Sequence, residues 1–211
     1  MAKIMLRVKT NRKTRTGAVG RPRAFDTAQA LDRALEVFWR KGYEGTAMSD
    51  LTAAMRINRP SIYSAFGNKE QLFRKVLDRY SDGPASYVRK ALDEPTARRV
   101  VERLLCGAAG LEGNQRNPPG CLIVQGALAC GDAAESVRRE LMSRRAFGEA
   151  ALRKRLIRAK LEGDLPRDSN PTELAQYVVT VLHGMAVEAA SGASPRKLRG
   201  VAELALRVWP N

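Results

Sequence analysis

Apolar side chains recur along this chain with the period of about 3.6 residues that marks helices, and strand-like alternation is scarce. Leu31, Ala34, Leu35 and Phe38 fall at i, i+3, i+4 and i+7 and predict an amphipathic helix over residues 26–42. Asp26 suits its start, with Gln29 three residues on completing a capping-box pattern, and Gly42 suits a left-handed end. Met48, Leu51 and Met55 mark a second, short helix. Asn58 is placed to cap a third running to about Ala65, where Pro60 is tolerated because the first turn needs no donor. Asn68 and Gln71 open a fourth on Leu72, Phe73, Val76, Leu77 and Tyr80. Helical patterning then continues over 84–92, 96–111, 121–130, 133–162, 172–191 and 194–208. Residues 113–120, with two prolines, read as a mobile loop and 165–171 as a polar connection. The expected fold class is all-α: an N-terminal helix-turn-helix three-helix module plus a C-terminal helical bundle.

The second and third helices carry the functional signal. Gly42-Tyr43-Glu44-Gly45-Thr46-Ala47 leads into the short helix, and Ile57-Asn58 leads into Arg59-Pro60-Ser61-Ile62-Tyr63-Ser64-Ala65-Phe66. In a helix-turn-helix the second helix enters the major groove and the first crosses the backbone. Ile57, Ile62 and Phe66 would pack inward, leaving Arg59, Ser61 and Ser64 outward and Tyr63 at the rim. Arg pairs bidentately with guanine, and Ser reaches several base edges or a phosphate oxygen. The competing reading for Arg59, Ser61 and Lys69 is a solvated surface; Tyr63 can pack its ring while its hydroxyl reaches a phosphate.

Charge strengthens this picture. The 211 residues hold 37 Lys and Arg against 22 Asp and Glu, a net +15 that favours polyanionic partners. Residues 1–25 carry eight basic side chains and no acid, whereas residues 26–70 balance at six against six. The charge-free runs 117–131 and 174–187 fall short of the roughly 18 residues a membrane span needs, so no membrane partner is expected. The basic start lacks the apolar stretch of a secretory signal and the serines of a transit peptide, which predicts a cytoplasmic protein. Three cysteines form no CxxC pair, and the single His183 completes no zinc spacing with them. His183 lies beside Val179, Leu182 and Met185, as a core or pocket histidine would, and Trp39 and Trp209 read as packing residues. No nucleophile elbow, P-loop or dinucleotide fingerprint appears, so neither catalysis, a cofactor nor a metal is expected.

Taken together, the stretch 20–76 resembles the amino-terminal domain of the tetracycline-repressor (TetR/AcrR) family, through Phe-Trp-Arg-Lys-Gly-Tyr at 38–43, Ile-Tyr-Ser-Ala-Phe-Gly-Asn-Lys-Glu at 62–70 and Leu72-Phe73. Pro119-Gly120-Cys121-Leu122 and Glu162-Gly163-Asp164-Leu165 are similar to segments of one group of the family's ligand-binding domains. The resemblance implies a homodimeric regulator, usually a repressor, bound to a palindromic double-stranded operator and released by a small-molecule effector. It puts Thr46 and the Ala47 amide at a phosphate, Arg59, Pro60, Ser61 and Ser64 over bases, and Tyr63 and Lys69 on phosphates. Ala47 stands where Ser or Thr is frequent, removing a side-chain cap and one phosphate contact; Ala65 stands where many members have His or Tyr. The implied division is a basic arm over 1–23, a DNA-binding domain over 24–70 and a ligand-binding and dimerisation domain over 71–211.

Under this resemblance a ligand cavity is expected among the helices between Thr96 and Glu162, with Cys106, Cys121, Gln125, Phe147 and His183 as candidate ligand contacts. Leu174, Val178, Val181, Leu182 and Met185, with Leu198, Val201, Ala205 and Val208, are the faces expected to pair across a dimer as a four-helix bundle. Two alternatives stay open: a thiol or electrophile sensor of the same fold, using Cys121 or Cys106, and a non-specific architectural DNA binder. Gly20-Arg21-Pro22-Arg23 resembles the minor-groove core of AT-hook segments, with Val19 where those usually carry Arg, so Arg21 and Arg23 are further DNA candidates.

Overall fold

The computed structural model describes residues 25–114, 116–129, 131 and 134–210. Ten helices and no strand occur among the described residues: α1 Thr27–Lys41, α2 Met48–Met55, α3 Arg59–Phe66, α4 Lys69–Asp82, α5 Tyr87–Leu92, α6 Ala97–Glu112, α7 Leu122–Ala129, α8 Glu135–Leu161, α9 Pro171–Ala190 and α10 Pro195–Arg207.

Local chemistry fixes the first four. The Asp26 carboxylate accepts from the amides of Ala28 and Gln29, and Gly42, at φ +70°, ends α1. Gln29 completes no capping box; its side-chain oxygen accepts from Arg33, 3.0 Å away and one turn on. At α2 the cap is one-sided, because the alanine side chain has no acceptor: the Asp50 carboxylate reaches back to the Ala47 amide at 2.9 Å, and the Asp50 amide finds only the Ala47 carbonyl, at 3.1 Å. Asn58 accepts from the Ser61 amide at the start of α3, and Asn68 and Gln71 cap α4 reciprocally at 2.8 and 3.0 Å. The expected helix over 84–92 begins only at Tyr87, because residues after Gly83 form turns and Ser86 supplies no side-chain cap.

Two cores result. The first joins Phe38, Leu51, Ile62, Phe73 and Leu77 of α1–α4 to Leu122, Val137 and Leu141 of α7 and α8. The second joins Val100 and Leu105 of α6, Leu152 and Leu156 of α8, Val178 and Met185 of α9 and Leu198 and Ala205 of α10. Each such leucine or phenylalanine contributes about 1.5–3 kcal/mol by leaving water. Helix α8, 27 residues and about 40 Å long, feeds both cores and ties them together.

Of the stripes expected to form a dimer face, Val201 and Val208 are exposed and the remainder is corrected here. Val178, Met185, Leu198 and Ala205 are buried inside one subunit, with Leu174, Val181 and Leu182 packed partly against them. The large apolar side chains left exposed on α9, on α10 and at the C-cap of α10 are Tyr177, Val187, Val201, Leu204 and Val208. A helical stripe satisfies the core of its own subunit first; periodicity marks that stripe, and only the resemblance assigns it to a dimer.

Polar links join the first four helices to the rest of the chain. Trp39 Nε1 donates to the Gly120 carbonyl at 2.9 Å, so this indole does more than pack. Gly131 N donates to Glu44 at 3.2 Å, Ser136 Oγ to Glu70 at 2.9 Å, and Arg144 to Asp78 at 2.7 Å.

Candidate DNA-reading face and ligand cavity

Helix α3 buries Ile62 and Phe66 and presents Arg59, Pro60, Tyr63 and Ser64 to solvent, with Ser61 half-buried. Arg56, at φ +59°, ends α2 in the left-handed region and is exposed beside α3. Sequence patterning passed over Arg56; its signal was a second arginine in the turn between the two helices. Among the described residues neither Arg56 nor Arg59 pairs with a carboxylate. Asp32, Asp50 and Glu70 are instead taken by Arg79, Lys41 and Arg74. A segment of balanced formal charge thus presents free cations beside α3, the electrostatics a phosphate backbone requires. The Asp50 carboxyl is held below its usual range by Lys41 and then by the Ala47 amide.

Thr46 departs from expectation. It is 1% exposed, and its hydroxyl donates to the Gly42 carbonyl at 2.6 Å, closing the turn before α2. With its one proton so engaged, the side chain has no donor for a phosphate. The Ala47 amide is at the surface but donates to Asp50, so a phosphate there must displace that carboxylate. Lys69 sits with its ammonium 4.4 Å above the Tyr43 ring, at the first turn of α4. Arg21 and Arg23 lie outside the described residues.

A cavity of about 610 Å³ is walled by α4, α5, α6, α7, α8 and α9, a wider set than the expected 96–162 region. Of the five candidate contacts, Cys121, Phe147 and His183 line it, and Cys106 and Gln125 do not. Phe147, 77% exposed, stands at its mouth. Cys106 is exposed on α6, and partial burial, then Glu102 and Glu203, push its thiol pKa up. Gln125 turns away and donates to the Pro119 carbonyl at 3.3 Å. Both misses have one cause: helical period does not say which side of α6 or α7 faces the cavity.

Within the cavity Tyr80 donates from its hydroxyl to Cys121 Sγ at 3.4 Å. Arg145 lies 3.1 Å from His183 Nδ1, and because guanidinium only donates, that nitrogen is the acceptor and the imidazole is neutral. Burial, followed by the Arg145 charge, lowers the His183 pKa to about 4. Tyr80, expected only on the apolar face of α4, lines the cavity together with Arg144 and Arg145, which no sequence motif marks. Among the described residues no group of three or more His, Cys, Asp or Glu could hold a metal, and no helix is long and apolar enough to cross a membrane.

Comparison with known proteins agrees with this geometry. Residues 30–76 match the family of bacterial regulatory proteins, tetR family, and residues 98–204 match the tetracyclin repressor-like C-terminal domain. The HTH-type transcriptional repressor ComR of Escherichia coli (strain K12) is 34% identical over 193 residues, 90% of this chain and 92% of ComR. The uncharacterized HTH-type transcriptional regulator YezE of Bacillus subtilis (strain 168) is 30% identical over 162 residues, 76% and 84% of the two chains. A cysteine mutant of the TetR family transcriptional regulator CifR, complexed with 26-bp double-strand operator DNA, has 42% sequence identity. The superposition covers 90% of this chain and 100% of that one at a TM-score of 0.86. These relatives are regulators and not enzymes, and both halves of the chain are accounted for. The chain belongs to the TetR family of transcriptional regulators.

Proposed function

We propose that the protein is a ligand-responsive repressor that binds a palindromic operator as a homodimer and leaves it when a small molecule fills the cavity. The observation that carries this reading is the position of α4. Tyr80, Ser81 and Asp82 at its carboxyl end line the cavity, and Lys69 at its amino end adjoins the reading unit. Arg79 bonds Asp32 of α1 through two nitrogens, at 2.6 and 2.9 Å, so a displacement of α4 is passed to α1. In this reading α3 sets base preference through Arg59, Pro60, Ser61 and Ser64, while Tyr63, Lys69, Arg56 and the Ala47 amide hold phosphates. Arg21 and Arg23 add minor-groove contacts. The exposed Tyr177, Val187, Val201, Leu204 and Val208 support isologous pairing through α9 and α10, as do Gly184 and Gly200, which have open space above them.

One observation favours a second reading, effector sensing by a thiol. Cys121 lines the cavity against Tyr80 and follows Gly120, the residue that Trp39 holds. Cys106, exposed and with a raised pKa, is a poor sensor.

Selection of genomic DNA fragments bound by the full chain, followed by footprinting, tests the proposal. It predicts an inverted repeat with half-site centres about one helical turn apart. Binding at fixed salt with little dependence on sequence would instead favour the architectural reading.

A further inference from the structure

Accepting the cavity as an effector site, we infer that its effector is an amphipathic organic anion, whose carboxylate or sulfonate sits on Arg145 and whose apolar body lies against α5, α6 and α9. Among the described residues three arginines line the cavity, and they are not equivalent. Arg89 is closed by Asp82 at 2.9 Å. Arg144 is closed twice, by Asp78 and by Glu140, each at 2.7 Å. Arg145 has no carboxylate partner among the described residues; it leans on His183 Nδ1 at 3.1 Å.

That partner supplies orientation without countercharge. A guanidinium carries five donors in a planar fork, and one contact to a neutral imidazole leaves the rest of the fork unmatched. The same contact disfavours a protonated His183, so the pair does not cancel its own charge by rearrangement. Glu149, one turn farther along α8, also lines the cavity yet forms no ion pair with Arg145, so an incoming anion breaks no internal salt bridge. Around this charge the wall is predominantly apolar, including Val88, Leu92, Leu104, Ala108, Leu152 and Val179. Its volume of about 610 Å³ suits a drug-sized molecule with one anionic head.

Two dyes of one skeleton test the assignment on the full chain: 8-anilinonaphthalene-1-sulfonate, an anion, and N-phenyl-1-naphthylamine, its neutral counterpart. The sulfonate should bind once per subunit, compete with the neutral dye, and bind at least about tenfold more tightly, as a charge-assisted hydrogen bond warrants. Arg145→Gln should abolish that preference by weakening the sulfonate about tenfold or more, whereas Cys106→Ser, off the cavity, should leave both dyes and operator unaffected. Arg145→Lys should keep part of the preference, and Glu149→Gln should strengthen sulfonate binding. Equal affinity for both dyes in the natural chain, or a preference that survives Arg145→Gln, would overturn the inference. Entry of the neutral dye alone, with release of operator, would overturn the anion assignment and leave the ligand-responsive reading standing. Entry of neither dye would remove both.

Discussion

Trp39 and Gly120 lie 81 positions apart in sequence, yet the indole nitrogen of one donates to the carbonyl of the other at 2.9 Å inside the first core. Gly120 holds φ +79°, and a Cβ there would come within 2.9 Å of the Ala186 carbonyl oxygen, so a side chain is excluded on two grounds. The next residue, Cys121, belongs to the cavity wall, and the Trp39 ring stacks edge-on against Tyr80, which also lines it, at 4.8 Å between centroids. Trp39→Phe keeps an aromatic ring but strands a buried carbonyl and leaves a void. It should destabilise the protein by about 2–4 kcal/mol in urea unfolding. Unchanged stability would show that the link carries no weight.

The reading face separates base contacts from backbone contacts. Arg59→Ala should cost about 1–3 kcal/mol on the operator and relax preference at one position per half-site. Lys69→Ala, which removes a phosphate contact and the cation over Tyr43, should weaken all sequences about equally and flatten the salt dependence. A uniform loss in both variants, measured by titration against operator and scrambled DNA, would contradict the division of roles.

The two described cysteines should behave differently toward a mild electrophile. If thiol chemistry triggers release, Cys121→Ser should abolish it and Cys106→Ser should leave it intact, because Cys121 lines the cavity and Cys106 does not. Release that persists in Cys121→Ser, followed by anisotropy of labelled operator, would leave reversible ligand binding as the trigger.

His183 gives a pH signature of definite sign. Its pKa falls from 6.5 to about 4 on folding, so between these values the unfolded chain takes up a proton that the folded chain refuses. Stability should therefore fall as pH drops through this window, with His183 contributing about 1–3 kcal/mol of the loss and nothing further below it. His183→Gln should lose correspondingly less between pH 7 and pH 4.5 in urea titrations. Equal losses in the two proteins would mean that the histidine is not held neutral.

Much of this was legible in sequence because local rules govern it. The caps Asp26, Asn58 and Asn68 and the stop at Gly42 lie next to the helices they bound, and their positions hold to within a residue or two. Gln29 misled because Arg33, one turn on, competes for its oxygen. Which face of a helix meets its own core and which meets solvent or a cavity depends on partners far along the chain. Hence Val178 and Met185 proved to be core residues, and Cys106 proved to lie off the cavity. Arg145 was invisible for the same reason, because α8 carries charges around much of its surface and only the fold brings His183, 38 positions later, against one of them.

Coupling of the cavity to the reading face through α4 carries a thermodynamic signature, reciprocity. The affinity of the full chain for N-phenyl-1-naphthylamine should be measured without DNA and again with saturating operator, after subtraction of dye bound to DNA alone. Operator should weaken dye binding by a factor in the range of about 5–150, matched by an equal weakening of operator binding when dye is saturating. The same dye affinity in both states would show that filling the cavity does not reach the reading face, and that α4 does not couple the two.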